Sequence, residues 1–478
     1  MLKVRCNRIY LIRMGSAMLR ESGGQPRHFS PPFSLKYIQA LLLEKGKRVK
    51  LTDCLVNPQP LNQLLDDVLD WSASLVVVHS SIHSKKLALE FAALIKEKKD
   101  IPLIAVGQGP TANYVGYSFP GSAFDVTLLG EPELEVVSLL GALSQGQTRE
   151  EVKEKYYKRL AKNEINTVSD LDCLPFPRYS TKEICDYQFF YPIRLNKKLR
   201  WGHLLSSRGC NYRCLFCSQV TRETFGDTVR FRSPFNVVNE MESLVSQGVN
   251  IISFDDDNFS FSKEHVSGIC QEVLNRGLNI KWIAHARINE LDFPLMGLMR
   301  QAGCIFLRLG VESGSSRIVE LLRKNPNNSD WIEASKRLFG HARKIGIATN
   351  ALFIIGNPTE TESEIKETIR LAKLLKPDLI QVHFFTPYPG SLAYEQFKDK
   401  IGSEKKNISE MYHYCTPQLN LSNVAFHRLL KIRAEFYRNF FLRAAFLSEH
   451  FLKYMFFYLR NINVGYKLSK SYKILFYF

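Results

Sequence analysis

The sequence lacks the features of a membrane-spanning or exported protein. Its 478 residues contain no run of about 18 uncharged apolar residues, so we expect no spanning helix. Near the amino terminus, Lys3, Arg5 and Arg8 interrupt the apolar runs and no small-residue cleavage site follows, so we expect no signal peptide. The ten cysteines are therefore interpreted as reduced thiols, and the sequence predicts a cytoplasmic protein.

Closely spaced cysteines are also scarce, with one exception. Seven of the ten are scattered, but Cys210, Cys214 and Cys217 follow one another with the spacing C-x3-C-x2-C. Structural zinc usually takes four ligands, and no second pair or nearby His completes such a set here, although a distant fourth ligand stays an alternative. Three thiolates suit a four-iron cluster that leaves one iron open to a substrate or cofactor.

This loop, with Gly209 before its first cysteine and Phe216 before its last, resembles the cluster loop of the radical S-adenosylmethionine (SAM) enzymes. The resemblance implies a [4Fe-4S] cluster on the three cysteines, with the methionine end of SAM bound to the open iron. In that family, one electron from the cluster cleaves a carbon–sulfur bond of SAM and gives a 5′-deoxyadenosyl radical. An electron donor such as flavodoxin or ferredoxin is implied as well.

Strand and helix patterns alternate from about residue 201 to 400, and they predict a partial (β/α)6 barrel with its chemistry at the carboxyl ends of the strands. Residues at these ends match family segments that bind SAM. The resemblance implies that Asp255 and Asp256 contact the methionine ammonium of SAM. It also implies that Glu312 and Ser313 lie near the ribose and that Gly356 lies near the adenine.

Asp255 and Asp256 also have a structural interpretation, because acidic residues after a strand often cap the next helix or face solvent. Arg308 either neutralises Glu312 or the SAM carboxylate, or is a solvated charge at the barrel rim. His285 and His383 are interpreted as packed or hydrogen-bonded side chains.

Residues 1–145 contain five strand–helix units and predict a doubly wound, flavodoxin-like sheet, whose ligand crevice lies at the carboxyl ends of its strands. The segment resembles the cobalamin-binding (B12) domain that precedes the radical SAM domain in one enzyme class. The resemblance rests on Pro-Pro-Phe-Ser-Leu at 31–35, Gly-Gln-Gly-Pro at 107–110 and Gly-Glu-Pro-Glu at 130–133. It implies cobalamin contacts from residues that follow the strands, which are Ser80, Ser81, Gly107, Gly109 and Glu131.

Two departures from that class leave an empty domain of the same fold as the alternative. No Asp-x-His-x-x-Gly segment follows the first strand, so no His is offered there as a lower cobalt ligand. Gly107-Gln-Gly109 stands where Gly-Gly is usual, and glycines at strand ends are needed for turns alone.

The remaining segments are more polar or more basic. Residues 146–200 are polar, and Pro175 and Pro177 favour an extended linker. Residues 401–478 predict helices rich in aromatic and basic residues, over 429–447 and 449–460, in a chain of net charge +17. A helical cap over the substrate mouth and peripheral contact with a membrane surface are equally favoured for this region. Nucleic-acid binding is disfavoured, because no known RNA-binding module is present.

The sequence thus predicts a radical SAM enzyme. The most favoured reaction is cobalamin-dependent methylation of an unactivated carbon in a small-molecule or lipid-like substrate, such as a lipid, a natural product or a tetrapyrrole. One alternative is a radical cyclase or oxidoreductase without net methylation. A tRNA methylthiotransferase-like enzyme is disfavoured. The N-terminal domain of that group normally supplies three further cluster cysteines, whereas this sequence has only Cys6 and Cys54 before residue 150.

Overall fold

The computed structural model describes residues 7–15, 30–119, 121–189, 199–217, 228–325, 330–388, 390–402 and 419–442. Two parallel β-sheets organise these residues, one before and one after residue 200. Among the described helices, none is both long and apolar enough to cross a bilayer. Residues 443–478, with the helix predicted for 449–460, lie outside the described residues.

The first sheet has five parallel strands in the order β2-β1-β3-β4-β5, which is the flavodoxin-like order. Its strands are β1 Arg8–Arg13, β2 Arg48–Asp53, β3 Leu75–His79, β4 Leu103–Val106 and β5 Val126–Thr127. The last of these strands has only two residues. Successive side chains point to opposite faces of a strand, so Ile9 and Leu11 enter one core while Tyr10 and Ile12 enter the other.

Helices cover both faces of this sheet. The helices Phe33–Glu44, Glu133–Ser144 and Arg149–Ala161 pack on one face, and the helices Leu61–Asp70 and Lys85–Lys98 pack on the other. Both faces of the strands are therefore buried, as expected for an all-parallel sheet.

The second sheet has six parallel strands that lie side by side in chain order, as a partial (β/α)6 barrel requires. They are β6 Trp201–Leu204, β9 Ile251–Phe254, β10 Lys281–Ala286, β11 Cys304–Glu312, β12 Ala348–Ile355 and β13 Leu379–Phe384. The connecting helices are Pro234–Ser246, Lys263–Asn275, Phe293–Gln301, Ser316–Leu321, Trp331–Ile345 and Glu362–Leu375. A short antiparallel pair, β7 Ser207–Arg208 and β8 Arg230–Phe231, lies between β6 and the first of these helices.

The barrel interior is closed at the amino ends of its strands. An apolar cluster contains Trp201, Ile251, Ile283 and Phe306 from four neighbouring strands, and Phe189 and Leu199 pack into it from the chain before β6. The opposite, carboxyl ends of the strands therefore form the open mouth.

The extended linker predicted for 146–200 is wrong in part, because residues 149–161 form a helix. Thr148 and Glu151 form a capping box at its start, and Val152, Tyr156 and Leu160 are buried four residues apart along one face. Further along, Thr181–Asp186 forms a second helix, and Lys36 reaches it with an ion pair of 2.6 Å to Glu183.

The helix Phe426–Phe441 covers the edge strand of the barrel. Its buried face, which includes Leu429, Ile432 and Phe436, has the spacing of one helical stripe. The Val382 N–H of β13 donates to Tyr437 Oη at 2.9 Å, and Arg433 Nε donates to the Val382 carbonyl at 3.0 Å. These bonds satisfy an exposed strand edge that would otherwise be open to pairing.

Candidate functional site

The three cysteines lie on a short loop that follows β7 at the mouth of the barrel. Gly209 precedes them with φ of +96°, and a Cβ at this position would lie 2.9 Å from the Thr228 carbonyl oxygen. Both the positive φ and the close backbone therefore require glycine here. The strands β7 and β8 form the stem from which the loop projects.

Apolar contacts hold this loop against the barrel. The Leu215 N–H donates to the Leu322 carbonyl at 3.0 Å, and Leu215 and Phe216 pack against Ile354 and Phe385 at the ends of β12 and β13. The thiol of Cys214 is buried, whereas Cys217 is exposed. The loop thus places its cysteines between the barrel and the solvent.

The described residues contain no group of three or more His, Cys, Asp or Glu side chains arranged to hold a single metal ion. In a four-iron cluster, each cysteine binds a different iron, so the sulfurs need not meet at one point. Burial raises the pKa of the Cys210 thiol, and metal binding at this loop therefore has to release protons.

Arg287, which follows β10, lies against the cysteine loop. Its Nη1 is 3.4 Å from Cys214 Sγ, and its Nη2 donates to the Lys324 carbonyl at 2.5 Å. The guanidinium also lies 3.6 Å from the centroid of the Tyr212 ring. A cationic donor beside a thiolate suits an anionic cluster, so the chemistry of these residues fits a [4Fe-4S] group.

Asp256 anchors the strand that leads into the loop. Its carboxylate accepts the N–H groups of Ser206 and Ser207 and both of their hydroxyls, at 2.9 Å and 2.6 Å for the hydroxyls. Burial raises the pKa of Asp256 to about 6, although these four donors act in the opposite direction. Its oxygens are thus already bonded to the protein, and this side chain positions the cysteine loop.

Asp255 faces the barrel interior. His203 Nδ1 lies 2.9 Å from one carboxylate oxygen, and the Ser253 hydroxyl donates to the other at 2.5 Å. Burial alone would raise the pKa of Asp255, but His203, Arg308 and Ser253 outweigh it and lower the pKa to about 2. Asp255 is therefore a carboxylate at neutral pH.

Arg308 does not pair with Glu312, which was one of the two roles considered for it. Its Nη2 is 3.7 Å from Asp255, whereas Glu312 forms an ion pair of 2.8 Å with Lys324. Nor is Arg308 a solvated rim charge, since it is buried inside the barrel. Its neighbours are acidic and aromatic, with the Phe189 ring 5.4 Å from the guanidinium.

The residues predicted to contact the ribose and adenine of SAM lie at the carboxyl ends of β11 and β12, as expected. Glu312 has φ of +68°, a left-handed conformation that is strained for a non-glycine residue and is typical of functional sites. Ser313 is fully buried, and its hydroxyl is 3.1 Å from Thr368 Oγ1. Gly356 has φ of +76° and lies against Leu429. Their contacts with SAM stay predictions.

Sequence reasoning missed a polar layer inside the barrel, directly above the apolar cluster. Along the strands it lies two residues after Trp201, Ile251, Ile283, Phe306, Ala348 and Leu379, and it consists of His203, Ser253, His285, Arg308, Asn350 and Gln381. Asn350 is 0% exposed, its Nδ2 donates to Gln381 at 2.8 Å, and its Oδ1 has no partner among the described residues. The alternation of apolar and polar residues along these strands was the available signal.

In the first domain, Ser80, Ser81, Gly107 and Gly109 come together at the ends of β3 and β4. The Gly109 N–H donates to the Ser80 carbonyl at 2.9 Å, and the Ser80 hydroxyl is 2.7 Å from Tyr117 Oη. A Cβ at Gly109 would lie 2.5 Å from that same Oη, and Gly107 has φ of +104°. These four residues form one rim, which we call the first-domain rim.

His79, at the end of β3, is a rim residue that sequence reasoning missed. A Cβ at Gly107 would lie 2.8 Å from its ring, and its Nδ1 is buried without a partner among the described residues. Burial lowers the pKa of His79 to about 4, so the ring is neutral. A neutral imidazole with an unpartnered nitrogen, on a rim with no room for larger side chains, fits a bound cofactor.

Glu131 is the one rim prediction that the geometry corrects. Its carboxylate is fully buried and bound by Arg230, by Arg208 and by the Val168 N–H. Glu133 accepts from Arg208 at 3.0 Å. Because Arg208 and Arg230 lie on β7 and β8, these two glutamates bind the first domain to the stem of the cysteine loop. We call these four residues the inter-domain ion cluster.

The carboxyl ends of the strands in the first sheet therefore face the carboxyl ends of the strands in the second sheet. The inter-domain ion cluster joins them on one side, and His83 beside the first-domain rim contacts Tyr388 beyond β13, with ring centroids 6.4 Å apart. A ligand on the first-domain rim would face the mouth of the barrel.

The comparisons with known proteins agree with this geometry. The model of the radical SAM superfamily matches residues 204–372, from the end of β6 into the helix Glu362–Leu375. The chain carries a radical SAM domain. This confirms the predicted radical SAM domain, and the chain is an enzyme. The matched span begins after the first sheet, so it does not test the cobalamin-binding interpretation.

Two curated relatives cover most of the chain. One is an uncharacterized methyltransferase from Pyrococcus horikoshii, 27% identical over 88% of this chain and 89% of its own length. Another is the anaerobic magnesium-protoporphyrin IX monomethyl ester cyclase of Rubrivivax gelatinosus, 26% identical over 88% of this chain and 76% of its own length.

Among solved structures, the radical SAM methyltransferase TsrM from Kitasatospora setae, determined with cobalamin and a [4Fe-4S] cluster bound, superposes with a TM-score of 0.63. The match covers 84% of this chain and 76% of TsrM, at 17% identity. At that identity the likeness concerns the fold, and it confirms the predicted α/β architecture.

Proposed function

We propose that this radical SAM enzyme methylates an unactivated carbon of a lipid, natural-product or tetrapyrrole-like substrate, with a [4Fe-4S] cluster, SAM and cobalamin as its cofactors. The observation that carries the proposal is the opposition of the two strand-end edges, with the cysteine loop on one and the first-domain rim on the other. The likeness to an uncharacterized methyltransferase over 88% of the chain and the cobalamin bound in TsrM support it.

The residues of the barrel mouth have distinct roles in this proposal. Cys210, Cys214 and Cys217 hold the cluster, and the anionic Asp255 accepts hydrogen bonds from the methionine ammonium of SAM. Glu312, paired with Lys324, accepts from the ribose hydroxyls. When these groups are bound, they supply one-electron and methyl-transfer chemistry that no side chain of the protein provides.

Other residues orient and enclose the reactants. Asp256 keeps the cysteine loop in place through Ser206 and Ser207. The apolar cluster around Trp201 closes the far end of the barrel, so that substrate enters from the mouth. The polar layer with Arg308 and Asn350 lies beneath the mouth and offers hydrogen bonds to the substrate.

A radical cyclase or oxidoreductase without net methylation is the second candidate, and the likeness to the Rubrivivax cyclase favours it. The two candidates differ in product mass, because only methylation adds a CH2 unit. The division at about residues 145, 200 and 400 into a B12-type domain, a linker, a barrel and a C-terminal region is part of the same proposal. We also propose a cytoplasmic enzyme, and a helical cap on the barrel and peripheral contact with a membrane surface are the two roles proposed for its C-terminal region.

The test is anaerobic reconstitution with iron, sulfide and hydroxocobalamin, followed by metal analysis and a SAM-cleavage assay. We expect about four iron atoms per chain and stoichiometric cobalt. Cys214→Ala should lose both iron and SAM cleavage, whereas Cys173→Ala, at an exposed cysteine outside the loop, should keep both. Iron without cobalt would favour the cyclase, and SAM cleavage by the Cys214 variant would refute the cluster assignment.

A further inference from the structure

Arg287 is fixed against the cysteine loop by three separate contacts. All three are contacts of the guanidinium. It donates toward Cys214 Sγ at 3.4 Å and to the Lys324 carbonyl at 2.5 Å, and it stacks on Tyr212. Arg287 is only 6% exposed. A long, flexible side chain held in this way keeps a constant orientation toward the sulfur.

The charge of Arg287 is not compensated by a close carboxylate. Among the described residues, no Asp or Glu oxygen lies within ion-pair distance of its guanidinium, and the nearby Glu290 instead accepts from Asn258 and Ser260. Lys324, the other cation beside the loop, is already paired with Glu312. Among the described residues, the cysteine sulfur is therefore the anionic group in closest contact with this buried positive charge.

One donor of Arg287 is also unused. Its Nε is buried and has no hydrogen-bond partner among the described residues. Leaving a buried charged donor unpaired is unfavourable, so the unused N–H indicates an acceptor supplied by a bound group. Nε belongs to the same planar guanidinium as the nitrogen that faces Cys214, so that acceptor has to lie within hydrogen-bond distance of this group.

We propose that Arg287 raises the reduction potential of the cluster by donating a charge-assisted hydrogen bond to the Cys214 thiolate. This inference rests on the proposed function, since it presupposes a cluster on the three cysteines. The added electron makes the cluster more negative, so a neighbouring cation stabilises the reduced form more than the oxidised form. Hydrogen bonds to cluster sulfurs and local charge are established determinants of such potentials.

The experiment is a reductive titration of the reconstituted full chain, followed by electron paramagnetic resonance. Arg287→Gln should make reduction about tenfold less favourable, which is a shift of about 59 mV to lower potential for a one-electron couple. Arg287→Lys keeps the charge but loses the planar donor, so the cluster potential of this variant should lie between those of the unaltered enzyme and Arg287→Gln.

Arg276→Gln is the matched control. It removes the same charge, but Arg276 follows the helix Lys263–Asn275 at the opposite, amino end of the barrel strands, where it pairs with Glu242 and Glu272. The cluster in the Arg276→Gln variant should have the same reduction potential as in the unaltered enzyme. Tyr212→Leu provides a second test if Arg287→Gln fails to fold, because it removes the ring that orients the guanidinium and should lower the potential by less.

The outcomes separate the two proposals. A cluster with about four iron atoms whose potential is the same in the Arg287 and Tyr212 variants as in the unaltered enzyme would overturn the role of Arg287 alone. Absence of iron from the unaltered enzyme would overturn the proposed function and this inference together. A lower potential in both variants, with unchanged iron content and an unchanged Arg276 control, would establish Arg287 as a tuning residue.

Discussion

At the scale of single residues, Glu360 shows how burial without a counter-ion changes a carboxylate. It is 0% exposed, and one of its oxygens accepts the Asn357 N–H at 3.0 Å while the other has no partner among the described residues. Burial raises the pKa of Glu360 from 4.5 to about 7, and the hydrogen bonds from Asn357 and Gly356 offset this only in part.

This pKa predicts a pH dependence of stability. Between pH 4.5 and about 7 the folded chain binds a proton at Glu360 that the unfolded chain has released, so stability falls as the pH rises through this window. Glu360→Gln mimics the protonated acid and should stabilise the protein by roughly 2–3 kcal/mol at pH 8 and by little at pH 4.5. Unfolding midpoints at the two pH values measure the difference.

Glu97→Gln is the control for this prediction, because Glu97 is an exposed helix residue whose substitution should leave the pH dependence unchanged. If Glu360→Gln behaves like Glu97→Gln at both pH values, the Glu360 carboxyl is ionised at neutral pH and the argument from burial is wrong.

At the scale of single elements, the helix Phe426–Phe441 stabilises the barrel through its contact with β13. Tyr437→Phe removes the only acceptor seen for the Val382 N–H among the described residues and should cost about 1–3 kcal/mol, because it leaves a buried donor unpaired. Amide hydrogen exchange at Val382 and the thermal unfolding midpoint both report the loss. Tyr157→Phe, at a tyrosine that is 62% exposed, should change neither. Unaltered protection of the Val382 amide would contradict this role for Tyr437.

Strands and helices could be predicted where the local residue pattern is strong, and one helix was missed where the pattern is weak. The strand Leu75–His79 could be predicted, because a continuous apolar run between turns marks a buried parallel strand. The helix Arg149–Ala161 was missed because charged residues dominate it, although its capping box and three buried apolar residues were visible in the sequence.

Contacts between distant residues could not be predicted from one sequence. The cysteine spacing predicts a cluster loop, but Arg287 lies 73 residues after the Cys214 that it contacts. Glu131 follows a strand of the first sheet, and that position alone suggested a cofactor contact. Its partner Arg230 is 99 residues away, and only the packing of two sheets against each other brings the two charges together.

At the scale of the whole molecule, the inter-domain ion cluster connects the first domain to the cysteine loop. Its two glutamates and two arginines balance in charge, and the four side chains are almost completely buried. Arg208 also lies 5.1 Å from the centroid of the Tyr37 ring in the first domain. Because β7 and β8 form the stem of the loop, any change in the angle between the domains would act on the loop directly.

Removing one charge from this cluster should therefore loosen the whole arrangement. Glu131→Gln removes the carboxylate that Arg208 and Arg230 share, and we expect a loss of roughly 3–5 kcal/mol, as for other broken buried ion pairs. Glu135→Gln is the control, because Glu135 pairs with Arg159 near the surface and should cost less than about 1 kcal/mol. Limited proteolysis would detect the separation of the domains, and denaturant unfolding the loss of stability. Equal effects of the two substitutions would mean that the cluster contributes no more than a surface pair, and that the apolar contacts alone hold the two facing edges together.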